Sequence, residues 1–221
     1  MERVAKGRST GKAIDEAQAL GLVEALAGDP LECPTLLALM TGPRRGELLG
    51  LRWSDVDLET AVLRVCRSLE VVGLHDLRFK QPKTAKSVRT VALSPQAVST
   101  LKRHRAAQVQ WMMRHRDIWV DDDLIFPFLD GTPWHPKRFS AAFFRRMKRL
   151  GVNVSFHGLR HSYASILLRA GTPLKVAFEA LGHSSVAITA DTYTHVLGEL
   201  KRDASDRLGA AFERAAQKKF G

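Results

Sequence analysis

The chain has 221 residues, of which 45% are hydrophobic, so it is long enough to bury a sizeable core. Its formal net charge of +11 favours a polyanionic partner, most simply a nucleic acid, although charge alone does not separate DNA from RNA or an acidic membrane surface. No apolar run approaches the roughly 20 residues that span a bilayer, and no secretory signal is visible, so no membrane segment is expected. Only Cys33 and Cys66 are present. They form neither a disulfide framework nor a four-cysteine zinc pattern, which favours a reducing cytoplasm.

The first quarter of the chain is predicted to contain a polar lead-in at 1–12 and then three helices. Apolar residues recur at roughly helical spacing after the lead-in, and Gly28-Asp29-Pro30 ends that pattern. A strongly apolar second helix stops at Thr41-Gly42-Pro43. Pro43 suits the first turn of a third helix, because its missing N–H would be unpaired there in any case. The three predicted helices are Ala13–Ala27, Pro34–Met40 and Pro43–Leu51.

The pattern then changes to β-branched and apolar residues in rough alternation, which predicts three short antiparallel strands. The predicted strands are Ala61–Val72, Asp76–Lys80 and Ser87–Leu93. The first turn is expected around Gly73, and a basic connection at 81–86 precedes the third strand.

The rest of the chain is predicted to be helical. Ser94 is a plausible N-cap with Pro95 at the first helical position, and that helix is expected to reach about His115. A basic amphipathic helix follows, with Phe139, Phe143, Phe144 and Met147 on one side. The remaining predicted segments are Pro136–Leu150 for that basic helix, then His157–Ala170, Pro173–Leu181, Ser185–Thr194 and Leu197–Lys218. The predicted fold class is therefore α+β and mainly helical, with one small three-stranded antiparallel sheet.

The stretch His157-Gly158-Leu159-Arg160 carries the first candidate for chemistry. Residues at i and i+3 share one face of a helix, so an imidazole and a guanidinium can point at the same small target. A proton-transfer group beside a permanent cation suits an anionic centre such as a phosphate. Taken alone, the motif also fits a helix whose polar residues face water.

Four further segments carry polar groups at turns and helix ends. They place an arginine at a helix start, a lysine in a turn between strands, a histidine just after a helix end and a tyrosine ten residues later. These residues are Arg44, Lys83, His183 and Tyr193. Together with the His157–Arg160 stretch, the set resembles the catalytic domain of the tyrosine recombinases, the phage integrase family. The resemblance covers about Ala13 to Leu208 and is closest to the integrases of phages and integrative elements.

The resemblance implies a complete catalytic set and a single catalytic domain at 13–221 that includes a C-terminal tail helix. The implied catalytic residues are Arg44, Lys83, His157, Arg160, His183 and Tyr193, and the expected DNA contacts are Lys86 and Arg89. Many members have Asp where Gly158 stands, but that position supplies no chemical group. Members usually carry a separate N-terminal DNA-binding region, and only the short lead-in precedes the domain here. That departure suggests either a shortened chain or a minimal protein.

The implied chemistry is consistent with the residue types. A tyrosine hydroxyl with an ordinary pKa of about 10 is a weak nucleophile at neutral pH, and an anionic phosphodiester repels nucleophiles. Two guanidiniums neutralise the non-bridging oxygens and stabilise the transition state. Lys83 is expected to protonate the leaving oxygen, His157 to help deprotonate Tyr193, and His183 to donate a hydrogen bond to the phosphate. The resemblance implies a 3′-phosphotyrosine and a free 5′-hydroxyl, with neither a metal nor another cofactor.

Several alternatives remain open at the level of sequence. Arg45 could replace Arg44 as the phosphate ligand, and Lys86 could replace Lys83, because only the family pattern prefers the other member of each pair. Tyr163, the only other tyrosine, has apolar helical neighbours and is predicted to lie in the core. His161 and His195 are expected to be structural or to contact DNA. His157 and His161 at i, i+4 could pair on a metal, but no carboxylate lies between them and no third ligand is evident.

Three classes of function are compatible with this set of residues. The first is a site-specific DNA recombinase that acts on double-stranded DNA as a homo-tetramer. The second is a domain of the same fold that occupies DNA without cutting it, and the third is a type IB topoisomerase. The filled catalytic positions argue against the binding module, and the segment from His183 to Tyr193 resembles integrases more than topoisomerases.

Overall fold

The computed structural model describes residues 13–73, 76–81, 88–182, 198, 202 and 205–214. Within these ranges the chain is mainly helical and has two small antiparallel sheets, which confirms the predicted α+β class. The helices are α1 (Glu16–Ala25), α2 (Glu32–Thr41), α3 (Arg45–Leu49), α4 (Pro95–Arg114), α5 (Pro136–Arg149), α6 (Phe156–Arg169) and α7 (Leu174–Leu181), and residues 205–214 are also helical. The strands are β1 (Val56–Asp57), β2 (Val62–Val65), β3 (Ser68–Val72), β4 (Asp76–Lys80) and β5 (Arg89–Ala92).

Local sequence determines several of the helix ends. The Ser94 hydroxyl accepts a hydrogen bond from the Ala97 amide at 3.2 Å, with Pro95 as the first helical residue, which confirms the predicted start of α4. Ser155 caps α6 in the same way by accepting from the Gly158 amide at 3.0 Å. At the C-terminal ends of α2 and α7, Gly42 and Gly182 adopt left-handed conformations with φ of 58° and 66°, which glycine adopts without strain.

The strands differ from the prediction in number and pairing. The prediction of one strand over 61–72 was wrong, because the chain turns between β2 and β3. Cys66 and Arg67, which lie at this turn, both donate to the carboxylate of Asp55, and these contacts draw the chain out of a continuous strand. As a result β2 pairs with β1 and β5 in one antiparallel sheet, whereas β3 pairs only with β4 in a second one.

Helix α5 buries only part of its predicted apolar side. Phe139, Phe143 and Met147 are at most 1% exposed, but Phe144 is 65% exposed. The prediction that Phe144 shares the buried side was wrong. Successive helical residues are rotated by about 100°, so the i, i+4 positions that follow Phe139 form the stripe and Phe144 points away from it.

A small apolar cluster joins α6 to α7 and includes Tyr163, Phe178 and Leu181. Tyr163 is 7% exposed, which confirms its predicted place in the core. Its ring packs against the end of α2, where a Cβ added to Gly42 would lie 2.3 Å from the Cδ1 atom of Tyr163. Only glycine permits this approach, and the approach brings the C-terminal end of α2 close to α6.

Within the described ranges, none of the helices is both long enough and apolar enough to cross a bilayer.

Candidate active site

Arg160 lies at the centre of the candidate site and ties two helix ends together. Its side chain extends from α6, is 3% exposed, and donates to the carbonyl oxygen of Gly42 at 2.5 Å and to that of Leu181 at 2.7 Å. These carbonyls lie at the C-terminal ends of α2 and α7, where the helix dipole concentrates partial negative charge. The guanidinium therefore satisfies a carbonyl at each of two buried helix ends and is held in a fixed orientation.

Arg44 contacts the same end of α7 from the start of α3. It is the N-cap residue of α3, and its Nη2 atom donates to the carbonyl oxygen of Gly182 at 3.2 Å. Arg160 contacts the carbonyl of Leu181, the preceding residue, so the two guanidiniums lie side by side. The Arg44 side chain is 49% exposed, which leaves it accessible to an anion from solvent.

Glu47 holds Arg44 in place and was not identified from the sequence. Its Oε1 atom pairs with Nη1 of Arg44 at 2.8 Å, and its Oε2 atom accepts from the backbone amide of Arg44 at 2.8 Å. A carboxylate three residues after a helix N-cap is the spacing of a capping box, and this was the signal that could have identified Glu47. The carboxylate fixes the arginine backbone and side chain together.

The same carboxylate also binds Arg89, the first residue of β5. Nη2 of Arg89 pairs with Oε2 of Glu47 at 2.8 Å, and both side chains are nearly buried. The guanidinium also lies beneath the end of α7, where a Cβ added to Gly182 would be 3.0 Å from Nη1 of Arg89. The structure thus places Arg89 inside the site, against Glu47, while its predicted contact with DNA stays a prediction.

The two cations change the ionisation of Glu47. Burial alone would raise the pKa of this carboxyl group, but the hydrogen bond and charge of Arg89, together with the contacts of Arg44, outweigh burial and lower the pKa to about 2. Glu47 is therefore ionised across the physiological pH range and balances part of the positive charge of the site.

Substitution of Glu47 by Gln is expected to destabilise the fold by about 3 kcal/mol at neutral pH, because it leaves the buried guanidinium of Arg89 without a counter-ion. A carboxyl group whose pKa is lowered on folding stabilises the folded protein at pH values above 4.5, the pKa of the group in the unfolded chain. This contribution disappears as the pH falls towards 2. Urea unfolding of both proteins between pH 7 and pH 2.5 measures the difference. The difference in unfolding free energy between the two proteins should narrow below pH 4.5.

Glu70→Gln is the matched control, because the ion pair of Glu70 with Lys80 at 3.1 Å is exposed and its loss should change stability by less than about 0.5 kcal/mol. Equal effects of the two substitutions at neutral pH would contradict the assigned role of Glu47.

His157 lies one helical turn before Arg160 on α6, and its side chain is exposed. Partial loss of hydration, and then the positive charges of Arg160, Arg44 and Arg45, lower its pKa below the ordinary value of histidine. The ring of His161 meets the ring of His157 edge to face, with 4.7 Å between the centroids. The imidazole of His157 is thus held among cations in its neutral form, which can accept a proton.

The side chain of Arg45 contacts helix α5. Its Nη1 atom donates to the hydroxyl of Ser140 on α5 at 2.7 Å, and loss of hydration lowers the pKa of its guanidinium. Arg44, rather than Arg45, therefore shares the end of α7 with Arg160. The contact of Arg45 joins the start of α3 to the exposed side of α5.

The structure brings together three of the six predicted catalytic residues, namely Arg44, His157 and Arg160. Lys83, Lys86, His183 and Tyr193 lie outside the described residues, as does the predicted segment at 185–194. The described chain nevertheless adjoins both of these regions at the site, because Gly182 directly precedes His183 and Arg89 lies three residues after Lys86. Across the described ranges, no group of three or more His, Cys, Asp or Glu residues could hold a metal ion.

The domain is mainly helical, and its candidate site presents two adjacent guanidiniums and a neutral imidazole. These are the features of a protein that binds an anionic phosphate. Residues 12–199 match the sequence model of the phage integrase family, and the chain belongs to this family.

The alignments with curated relatives cover about half of each relative's length. The chain is 36% identical over 201 residues to a XerC-like tyrosine recombinase of Caldanaerobacter subterraneus subsp. tengcongensis, an alignment that covers 86% of this chain and 51% of the relative. It is 31% identical over 176 residues to the ICEBs1 integrase of Bacillus subtilis strain 168, with 78% and 46% covered. The chain thus spans about half the length of the curated relatives it matches.

Solved structures share the fold at lower sequence identity. The Tn1549 transposon integrase in complex with transposon right end DNA matches with a TM-score of 0.75 and 21% identity, over 93% of this chain and 69% of that one. The XerA recombinase matches with a TM-score of 0.68 and 23% identity, over 92% and 66%. At these identities the comparison establishes the fold alone.

Proposed function

We propose that this chain is the catalytic domain, at residues 13–221, of a site-specific DNA recombinase that cleaves and rejoins DNA through Tyr193. The observation that carries the proposal is the pair of guanidiniums of Arg44 and Arg160 at the end of α7. Two cations fixed side by side suit the two non-bridging oxygens of a phosphodiester. Membership of the phage integrase family, in which cleavage through a phosphotyrosine is general, supports the same reaction.

The proposed reaction is a transesterification that needs no external energy source. The hydroxyl oxygen of Tyr193 attacks the phosphorus, the bond to the 5′ oxygen of the next nucleotide breaks, and the protein remains joined to the 3′ phosphate. His157 accepts the proton of the tyrosine, Lys83 protonates the leaving oxygen, and His183 donates a hydrogen bond to the phosphate. The reverse reaction, with a 5′-hydroxyl from another strand as the nucleophile, rejoins the DNA.

The direct test of the proposal is incubation of the protein with a nicked duplex, in which cleavage releases a short oligonucleotide that diffuses away and traps the intermediate. A covalent protein–DNA adduct is expected after denaturation, and peptide mapping should place the DNA on Tyr193. Absence of any adduct would favour a domain that binds DNA without cutting it. Analysis of the rejoined products separates strand exchange from relaxation of a supercoiled circle.

As the pH is lowered, the rate of adduct formation is expected to stay high to pH values below the ordinary pKa of histidine. The reason is that the neutral form of His157 acts as the base and that its pKa is lowered in the folded protein. With limiting DNA, the pH profile reports groups of the free enzyme, so the acid limb should have a midpoint below about 6.5.

A His157→Gln variant should be slower and should lose this limb, whereas His115→Gln, which changes a ring stacked on Trp111, should keep the wild-type profile. An acid limb that is unchanged in His157→Gln would assign the base to another residue.

The proposed partners are double-stranded DNA and further copies of the chain, in a tetramer assembled on the DNA in the cytoplasm. The exposed tail supports assembly: Leu208 and Phe212, four residues apart on one face of the helical segment 205–214, are 60% and 69% exposed. Apolar side chains in such a stripe are usually covered. A lambda integrase tetramer bound to a Holliday junction shares the fold, with a TM-score of 0.54 and 22% identity over 83% of this chain and 48% of that one.

Deletion of all residues after Glu199 is expected to weaken assembly and recombination more than it weakens DNA binding by one subunit. Gel shifts with one and two binding sites, together with a recombination assay, measure the two effects separately. A Leu208→Ser, Phe212→Ser double variant should reproduce the defect, and Glu213→Gln on the same segment should not. Intact assembly in both the deletion and the double variant would remove the tail from the proposal.

A further inference from the structure

Arg89, the first residue of β5, is a buried cation that the proposed reaction does not use directly. Its side chain is 8% exposed, and Nη2 pairs with Oε2 of Glu47 at 2.8 Å. The Nε and Nη1 atoms are also buried, and they have no hydrogen-bond partner among the described residues. Buried N–H groups without a partner are rare in folded proteins. The fold therefore keeps this guanidinium in the site although it uses only part of its hydrogen-bonding capacity.

The end of α7 covers the guanidinium of Arg89. A Cβ added to Gly182 would lie 3.0 Å from Nη1 and 3.5 Å from Cζ of Arg89. The carbonyl oxygen of the same glycine accepts the hydrogen bond from Nη2 of Arg44. Arg44 and Arg89 thus meet at one residue as well as at one carboxylate, but only Arg44, which is 49% exposed, is open to solvent.

The carboxylate that the two arginines share leaves a net positive charge on the group. Glu47 is ionised across the physiological pH range, because its pKa is lowered to about 2. Its Oε1 atom pairs with Arg44, and its Oε2 atom pairs with Arg89, each at 2.8 Å. Without Arg89, the carboxylate would balance the charge of Arg44 alone. An arginine neutralised in this way would attract a phosphate less strongly.

The sharing of the carboxylate also affects the direction of the Arg44 side chain. Nη1 of Arg44 is held by Oε1 of Glu47, which leaves Nη2 to donate to the carbonyl oxygen of Gly182. Arginine and a carboxylate frequently form a pair with two parallel hydrogen bonds. If Arg89 did not engage Oε2, Glu47 could form such a pair with Arg44 and draw Nη2 away from Gly182.

We propose that Arg89 is a positioning residue for the cleavage reaction. By engaging Oε2 of Glu47, it leaves the guanidinium of Arg44 only partly neutralised and directed towards the end of α7, where the phosphate is bound. The inference rests on the proposed function and adds to it a residue that acts through Glu47 and not by contact with the phosphate. Its contribution to the rate therefore exists only while Arg44 is present, a dependence that a purely structural role would not produce.

The test is a double-mutant cycle in the rate of adduct formation, measured in a single turnover on a nicked duplex at saturating DNA. Arg89→Gln is expected to lower the rate about tenfold, within the range of coupling between residues of one ion-pair network, and to leave DNA affinity unchanged. In an Arg44→Gln background, the same substitution should change the rate by less than about twofold. Thermal unfolding measures the folded fraction of each variant at the assay temperature.

Two further variants support the cycle. If Arg89→Gln does not fold, the cycle is run with Arg89→Lys, which keeps the charge but loses the planar guanidinium. Its loss of rate should be smaller, roughly threefold, and should again require Arg44. Arg64→Gln is the matched control, because it removes an exposed arginine from β2, opposite Thr90 of β5. This control should alter the rate by less than about twofold in either background.

The contrary outcomes are distinct from one another. Equal losses of rate with and without Arg44 would show that Arg89 acts independently of Arg44. Weaker DNA binding with an unchanged rate would make Arg89 a DNA contact, and a folded variant with wild-type rate and affinity would limit the ion pair to stability. In each of these cases the wild type still forms its adduct at Tyr193, so only the role of Arg89 fails. If the wild type forms no adduct, the proposed function fails as well.

Discussion

Tyr193→Phe is expected to abolish the covalent protein–DNA adduct while DNA binding and folding are retained. The substitution removes one oxygen atom, the proposed nucleophile, and keeps the ring. No other group of the proposed site can form the same ester, so the loss should be complete and not graded. The measurement is the yield of adduct on a nicked duplex after denaturation, with gel shift and thermal unfolding as checks on binding and fold.

Tyr163→Phe provides the matched control, because the chain has only two tyrosines. The Tyr163 ring is buried against Gly42, and burial raises the pKa of its hydroxyl, which makes it a poorer nucleophile still. This variant should form the adduct at a rate close to that of the wild type. An adduct that survives in Tyr193→Phe, or one that disappears in Tyr163→Phe, would reverse the assignment.

Sequence patterns predicted those parts of the fold that depend on neighbours within one or two turns. The start of α4 followed from Ser94 and Pro95, and the buried position of Tyr163 followed from its apolar helical neighbours. The strand prediction was wrong where a contact between residues distant in sequence decides where a strand ends. Asp55 binds both Cys66 and Arg67, and nothing in the alternation of residues 61–72 reveals that this carboxylate lies beside them.

The candidate site likewise contains features that local patterns predicted and others that depend on contacts between residues distant in sequence. The spacing of His157 and Arg160 predicted one shared face, and the family pattern preferred Arg44 over Arg45. The link from Glu47 to Arg89, 42 residues apart, depends on how β5 packs against α3, and no local pattern contains that information. Phe144 was misplaced for a different reason, because a run of two phenylalanines does not say which of them faces the core.

Arg160→Lys is expected to lower the rate of adduct formation by a factor of about 10² to 10³, the range observed when one fixed donor to a transition-state oxyanion is removed. The positive charge remains, so the effect comes from geometry. A planar guanidinium donates to the carbonyls of Gly42 and Leu181 at once, whereas a lysine ammonium is a compact charge on a flexible stem. One of the two buried carbonyls would also lose its donor, which costs about 1–3 kcal/mol of stability.

Single-turnover adduct formation and urea unfolding measure the two effects of Arg160→Lys on the same protein. Arg169→Lys is the control, because Arg169 is an exposed residue at the end of the same helix and its replacement should alter neither quantity by much. If Arg160→Lys loses stability but reacts at the wild-type rate, Arg160 only ties α2 to α7. If it loses rate by the expected factor at a temperature where it is fully folded, the fixed guanidinium serves the reaction itself. The tie to Gly42 and Leu181 is then the means by which the fold holds that cation beside Arg44.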